Sequence, residues 1–537
     1  MPTHEHVSFS RLLGRRSLLA AGTAGAAVVG GLTAPRAYAA SSSGLVLSGR
    51  PEVSHGVQVG DVVGRSAVVW ARADRTAQMV VEVARDPRFH DAQRVRGPVV
   101  TPDSDFTGHV KISGLAAGER HWYRVSFQDP ADARRTGAAV TGSFRAAPDQ
   151  HGPRRDIRFV WSGDMVGQGW GINPGLGGIE IFETMRQAKP DFFLHSGDTI
   201  YADGPLQETV TLPDGRVWHN LVTEEKSKVA ETLAEYRGNF RYNLLDDNVR
   251  AFAAEVPGIY QWDDHEVRNN WYPGQILTDT RYTEKRVDVL AARARRAFFE
   301  YLPIDDQSAD EVGRIYRRIS YGPLLDVFVL DMRTYRDANS PQLNTEPNGG
   351  ILGRRQTEWL KRGLASSKAL WKVVAADMPV GLVVPDGANI EGVANGDPGG
   401  PKGRELEIAE VLRHLQRHAV RNTVWVTADV HYAAAHHYDP ARAVFQDFDP
   451  FWEFVAGPLN AGTTTHPYKL DATFGPQLAF AKNPSALASP LDGYQFFGQV
   501  DIDAASGALT VALRDAAGAT LWSTRLEAQR SRRRVGL

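Results

Sequence analysis

Apolar and polar positions change their spacing partway along this chain. From Val53 to Phe144, short runs such as Ser66–Arg72, Met79–Val83 and His121–Val125 are rich in β-branched and aromatic residues. Turn signals such as Ala116-Ala117-Gly118-Glu119 separate them, and no helical spacing interrupts. The pattern predicts an all-β sandwich of roughly a hundred residues. Trp70, Trp122 and Tyr123 alternate as core positions do, rather than forming an exposed aromatic strip.

After Ala146–Pro153, a linker with two prolines, the spacing alternates between strand and helix. Ile157–Trp161 reads as a strand, Ile179–Gln187 as a helix and Phe192–His195 as a second strand, a β-α-β unit. Longer helices are predicted at Glu224–Tyr236 and at Thr283–Phe299, where Val287, Leu290, Ala291, Ala294 and Phe298 share one face. Further strands follow at Leu325–Leu330, Lys372–Ala376 and Val424–Thr427. The aperiodic Gly/Pro/Asn-rich stretch Pro385–Gly403 is too long for a simple turn, and its place after Asp377 favours an active-site cover over a disordered spacer. Three alternating runs, Phe497–Asp501, Leu509–Arg514 and Leu521–Leu526, predict antiparallel strands that finish the second sheet of a catalytic domain. The expected domains are 40–148 for the sandwich and 154–526 for catalysis.

Six segments end in candidate oxygen or nitrogen ligands, most of them just behind an apolar run: Ser162-Gly163-Asp164, Gly197-Asp198-Thr199-Ile200-Tyr201, Trp262-Asp263-Asp264-His265-Glu266, Asp331-Met332-Arg333, Ala376-Asp377-Met378 and Thr427-Ala428-Asp429-Val430-His431. Groups at the carboxyl ends of several strands can meet in one crevice although distant in sequence. The cluster Asp263–Glu266 would repel itself unless a cation or solvent compensated. Arg268-Asn269-Asn270 behind it offers amide ligands or hydrogen bonds. Alternation puts Asp429 and His431 on one face of an extended segment. An aspartate in an ordinary turn would look like Gly197-Asp198, and Arg333 has structural ion-pair partners at hand in Asp331 and Asp337.

Composition narrows the chemistry. Cysteine is absent, so a metal must rest on Asp, Glu, His, Asn or Tyr. With a formal net charge of −2 there is no broad basic field and no nucleic-acid signature; the basic tail 527–537, with Arg530, Arg532, Arg533 and Arg534, reads as a solvated terminus. Residues 1–39 read as a twin-arginine export signal: Arg15-Arg16 precede the Ala/Gly-rich stretch Leu18–Leu32, and Ala37-Tyr38-Ala39 supplies a cleavage site. An uncleaved N-terminal anchor is the alternative. Removing them takes away four arginines and one glutamate and moves the formal charge to −5. No other segment has transmembrane length, so the expected product is exported by the Tat machinery and secreted or cell-wall associated.

The order of these motifs resembles the calcineurin-like metallophosphoesterases, and more closely the PhoD-type alkaline phosphatases and phosphodiesterases. Trp262-Asp263-Asp264-His265-Glu266 and Asp429-Val430-His431 match hallmarks of that family, as do Leu330–Asp337 and the helix-like Gly353–Leu360. The resemblance covers nearly all of the chain beyond the export signal. It implies a four-layer αββα sandwich of two mixed sheets behind a small fibronectin III-like sandwich, whose Leu115…Tyr123 resembles that fold's tyrosine corner. It also implies a metal-dependent phosphoric ester hydrolase in which a hydroxide generated at a trivalent ion attacks phosphorus. One metal would take Asp164, Asp198, Tyr201 and His431; a second would take Asp198, Asp264 and Asp429, with Asp263 and Asp377 as further candidates. His265 would act on the leaving group and Arg333 on the phosphoryl oxygens. Fe3+ and Ca2+ are the suspected cofactors, although Asp164 stands where some relatives have cysteine and other divalent metals would also suit it. A phosphodiesterase or phospholipase D-like enzyme on the same site is one alternative, and a non-catalytic cell-surface binding protein a more distant one.

Overall fold

In the strand Phe192–Ser196, Phe192 and Leu194 enter one apolar core while Phe193 enters another. The same alternation runs through Ile157–Ser162, with Phe159 and Trp161 on one side and Val160 on the other. In Trp371–Ala375 and Thr423–Thr427 the residues Val373, Ala375, Val424 and Val426 join that same first core, while Val374 and Trp425 face a third. One core therefore lies between two sheets, and the others lie beneath helices. The helices Ile181–Gln187, Leu233–Asn243, Asp247–Glu255 and Val287–Tyr301 cover the first sheet; Gly353–Ser366 and Glu405–Arg417 cover the second. This is the expected αββα order.

The computed structural model describes residues 49–306, 311–346, 350–464, 469–484 and 487–529. The export signal 1–39 and the tail arginines Arg530, Arg532, Arg533 and Arg534 lie outside these residues. Among the described residues no helix is long and apolar enough to cross a membrane.

The first sheet has nine strands, in the order Thr520–Leu526, Leu509–Asp515, Phe496–Ile502, Ile157–Ser162, Phe192–Ser196, Gly258–Gln261, Val53–Val63, Ser66–Ala73 and Thr107–Ser113. The three C-terminal strands thus extend the first sheet rather than finishing the second. Phe496–Ile502 pairs antiparallel with Ile157–Ser162, and Gly498 opposite Trp161 is what lets them meet, since a Cβ there would stand 2.0 Å from the indole. The second sheet has seven strands, running Arg317–Tyr321, Leu325–Val329, Trp371–Ala375, Thr423–Thr427, Phe451–Val455, Ala433–Tyr438 and Pro476–Lys482.

The N-terminal sandwich is all-β as expected, but one of its faces is continuous with the catalytic sheet. Val53–Val63 runs parallel to Gly258–Gln261, with Gly60 opposite Gly258. A Cβ on Gly60 would lie 2.5 Å from the Pro303 carbonyl oxygen and 2.6 Å from that of Gly258, so only glycine admits the junction. The opposing sheet is Gln93–Val100, Ala77–Ala84, Arg120–Gln128 and Val140–Arg145. Tyr123 does not form a corner within the sandwich: its hydroxyl donates to the Ala254 carbonyl 3.1 Å away, in the helix Asp247–Glu255.

One predicted helix is displaced. Instead of Glu224–Tyr236 there is a 3-10 turn at Glu225–Ser227 and then a helix at Leu233–Asn243. Thr232 and Glu235 form a reciprocal capping box that restarts the chain there, a feature worth about 1 kcal/mol. The aperiodic stretch Pro385–Gly403 carries a two-residue hairpin, Pro385–Asp386 with Asn389–Ile390.

Candidate metal centre

Within the first sheet, Ile157–Ser162, Phe192–Ser196 and Gly258–Gln261 are parallel. Within the second, Leu325–Val329, Trp371–Ala375, Thr423–Thr427 and Phe451–Val455 are parallel. Their carboxyl ends deliver the six segments to one crevice between the sheets. The chain turns sharply at each end. Asp164, Asp198, Asp429 and His431 all have left-handed backbone, with φ of 66°, 51°, 64° and 54°. Each such residue costs about 1 kcal/mol, which marks the crevice as a place where strain is tolerated for position. Glycines make the approach possible. A Cβ on Gly197 would lie 2.4 Å from that of Asp263, one on Gly163 2.8 Å from that of Ala428, and one on Gly457 2.2 Å from an Asp164 oxygen.

Ligand atoms of Asp164, Asp198 and His431 lie within 4.8 Å of one another, and so do those of Asp198, Asp264 and His265. Asp198 is common to both groups. The Tyr201 hydroxyl sits 2.8 Å from His431 Nε2, and Asp164 Oδ1 is 3.6 Å from the same nitrogen. His431 Nδ1 faces the Gly462 carbonyl, which can only accept, so Nε2 turns its lone pair to the crevice. Burial lowers the His431 pKa to about 4, which keeps that imidazole neutral.

The carboxylates here need a cation. Both oxygens of Asp164 are buried without a hydrogen-bond partner among the described residues. Burial pushes its pKa up to about 8, and burial with neighbouring carboxylates pushes Asp198 and Asp429 well above the usual range. An ionised carboxylate left so would cost several kcal/mol. Carboxylates, one phenol and two imidazoles, with no thiolate in the chain, form a donor set for hard or imidazole-tolerant cations. The residues fit a metal centre.

Arg333 organises the other end. It is fully buried, and Nε faces Asp263 and Asp377, Nη1 faces Glu391 at 2.6 Å and Asp264 at 3.7 Å, and Nη2 faces Asp429 at 3.3 Å. Asp263, Asp377 and Asp429 therefore lie against the guanidinium and in neither ligand group. Neither Asp331 nor Asp337 is its ion-pair partner: Asp331 accepts from Trp262 Nε1 and two backbone N–H groups, and Asp337 pairs with Arg404. The open side of the crevice is marked by His265, Asp429 and Glu391, whose side chains keep 18%, 12% and 8% exposure.

Three supporting roles were not anticipated, those of Asp203, Glu266 and Glu391, of which only Glu266 lay within one of the six ligand segments. Asp203 accepts from His265 Nδ1 at 2.6 Å and is itself fixed by the Asn269 backbone N–H. Burial works against charge on His265, yet Asp203, Asp264 and Asp198 hold its pKa well above the usual imidazole range. Its ring also stacks on Tyr201, with centroids 4.1 Å apart. Glu266 accepts from the backbone N–H groups of Asp198, Thr199 and Asp263, tying two strand-end turns together. Glu391 arrives from the aperiodic loop. The only sequence signal for these was proximity: Asp203 follows Asp198 by five residues and Glu266 adjoins His265. Of Asn269 and Asn270, it is the backbone N–H groups that serve the site, on Asp203 and Asp264.

The PhoD-like phosphatase family model matches residues 159–513, and the model of the PhoD-like phosphatase N-terminal domain matches residues 39–148. Alkaline phosphatase D of Bacillus subtilis (strain 168) is 28% identical over 471 residues, spanning 82% of this chain and 75% of the relative. Among solved structures, PhoD superposes with a TM-score of 0.66 at 20% identity, covering 90% of each chain. A purple acid phosphatase from yellow lupin (Lupinus luteus) seeds superposes with a TM-score of 0.56 at 13% identity, covering 90% of this chain and 75% of the other. These two likenesses speak for the fold.

Proposed function

The chain belongs to the PhoD-like phosphatase family, and from that premise we propose that it is a metal-dependent alkaline phosphatase that hydrolyses phosphate monoesters. The observation that carries the metal dependence is the group Asp164, Asp198 and His431, in which neither Asp164 oxygen has a hydrogen-bond partner among the described residues. Asp164, Asp198, Tyr201 and His431 would hold one cation; Asp198, Asp264 and Asp429 would hold a second. Burial, with Asp198 and Asp164 nearby, keeps the Tyr201 phenol protonated, so only a strongly Lewis-acidic ion such as Fe3+ would displace its proton. The all-oxygen second set favours Ca2+. Bound cations would supply Lewis acidity to the phosphoryl oxygens and make water a better nucleophile.

The chain's own groups do the rest. His265 donates Nδ1–H to Asp203, which leaves Nε2–H free to protonate a departing alkoxide. Against burial, Asp203, Asp264 and Asp198 raise its pKa, which favours the protonated, donating form. Arg333 balances the carboxylates and offers its guanidinium charge to the phosphoryl oxygens. Export by the twin-arginine pathway is supported by Arg15-Arg16 and the cleavage sequence after them.

The test is kcat/KM for an aryl phosphate monoester and its matching diester on metal-replete protein, with a chelated control. We expect monoester preference and loss of turnover on chelation, with return on adding Fe3+ and Ca2+. Diester preference would make the enzyme a phosphodiesterase. Absence of chelator-sensitive hydrolysis of either substrate would sink the proposal.

A further inference from the structure

The loop Pro385–Gly403 reaches the crevice through one side chain. Its hairpin tip, Gly387 and Ala388, is exposed, whereas Glu391 directly after the hairpin is buried. Glu391 Oε1 lies 2.6 Å from Arg333 Nη1 and 3.9 Å from Arg336 Nη1. The Glu391 carbonyl oxygen accepts from Arg336 Nη2 and from Arg404 Nη1, which pins the backbone and leaves the carboxylate between two guanidinium groups.

Arg336 is the unusual member. Its side chain has no exposed surface, yet Nε and Nη1 find no hydrogen-bond partner among the described residues. Unused donors on a buried guanidinium cost free energy unless an anion or water takes them. Of the carboxylates around Arg333, Asp263 and Asp264 follow the strand Gly258–Gln261, Asp377 follows Trp371–Ala375 and Asp429 follows Thr423–Thr427. Glu391 alone comes from the loop, and its carboxylate can swing aside while its backbone stays held by Arg336 and Arg404.

We propose that Arg333 and Arg336 together form an anion subsite for the phosphoryl group, and that Glu391 is a tethered carboxylate occupying it between turnovers. The assignment rests on the phosphatase reading above for its ligand class. A phosphoryl group entering the crevice displaces the Glu391 carboxylate, and takes Arg333 Nη1 and the idle donors of Arg336 in its place. On product release the carboxylate returns. As a tethered competitor it acts at the effective concentration set by its loop, so it weakens product phosphate and substrate alike and limits product inhibition.

The experiment is calorimetric binding of inorganic phosphate to the metal-replete protein, alongside inhibition of aryl phosphate hydrolysis by phosphate. Glu391→Gln removes the competing charge and keeps the shape. It should bind phosphate on the order of tenfold more tightly, with KM falling in parallel. Glu391→Asp, with shorter reach, should move the same way by less, and serves if the Gln variant does not fold. Arg336→Lys keeps the charge but loses the fork, and should weaken phosphate several-fold. Unchanged or weaker binding in the Glu391 variants overturns the proposal, as does absence of phosphate binding in both wild type and variants. Wild-type turnover separates the two claims: hydrolysis without the predicted tightening removes the subsite and leaves the phosphatase, while tightening without hydrolysis does the reverse.

Discussion

Asp164 and Asp263 are both fully buried carboxylates at the ends of parallel strands in the same sheet, yet they meet charge differently. Asp263 lies against the Arg333 guanidinium, which the chain itself supplies. Among the described residues Asp164 has no arginine against it: His431, made neutral by burial, lies 3.6 Å from Oδ1 with the Tyr201 phenol beyond, and neither oxygen has a hydrogen-bond partner. At the Arg333 end, Asp263, Asp264, Asp377, Glu391 and Asp429 outnumber the guanidinium groups, so even there compensation is incomplete. The difference teaches where external cations are required: wherever converging acidic groups outnumber the arginines that reach them.

The sharpest way to break this comparison is at the residue shared by both ligand groups. Asp198→Asn should cost more than the ~100-fold that loss of an outer partner costs a metal site, because both groups lose an anionic ligand at once. Metal content by elemental analysis, read with kcat/KM, would check it; full occupancy with full activity would refute the two-group description. Arg333→Met tests the opposite end. Removing one cation from buried acid pairs should destabilise by about 3–5 kcal/mol in denaturant unfolding. A change below 1 kcal/mol would mean the carboxylates there are compensated in another way.

Asp203→Asn should lower kcat by roughly 10–100-fold while leaving metal content intact, since it acts through His265. The pH profile distinguishes this from general damage. Loss of Asp203 lowers the His265 pKa, so the limb belonging to the protonated form should move to lower pH.

A pH titration sharpens the comparison further. The folded-state pKa of Asp164 is raised from 3.8 to about 8 in the absence of metal, so the folded state binds the extra proton between those values. Stability of metal-stripped protein should therefore fall as pH rises through that window, and the loss should be complete above it. Asp164→Asn should flatten that part of the curve, and metal loading should do the same; a wild-type curve parallel to the variant's would contradict the assignment. The smallest effect expected is a control away from both ends. Thr232→Ala removes the capping box and should cost about 1 kcal/mol without moving metal content or turnover.

How far these features could be read beforehand depended on their range. The strands carrying Asp164, Asp198 and Asp429 were visible because their apolar runs are continuous over neighbouring residues. The capping box that moved the helix to Leu233–Asn243 was also local, and the threonine–glutamate spacing was its signal. The edge chosen by Phe496–Ile502 was not local, because alternation says that a strand has two faces but not which neighbour will hydrogen-bond to it. Nor was the partner of Tyr123, 131 residues away at Ala254.

The chain alone therefore determined most of the strands and helices, the strand-end positions of the acidic segments and the absence of thiolate chemistry, all of which follow from short-range periodicity and residue type; the four layers were implied by the family resemblance. Tertiary structure decided the sharing of Asp198, the pairing of Asp203 with His265, the enclosure of Arg333 and the entry of Glu391 from a distant loop. Coulomb interaction and hydrogen bonding act through space, and buried groups feel whichever partners the fold brings within a few ångströms, however far apart they stand in sequence.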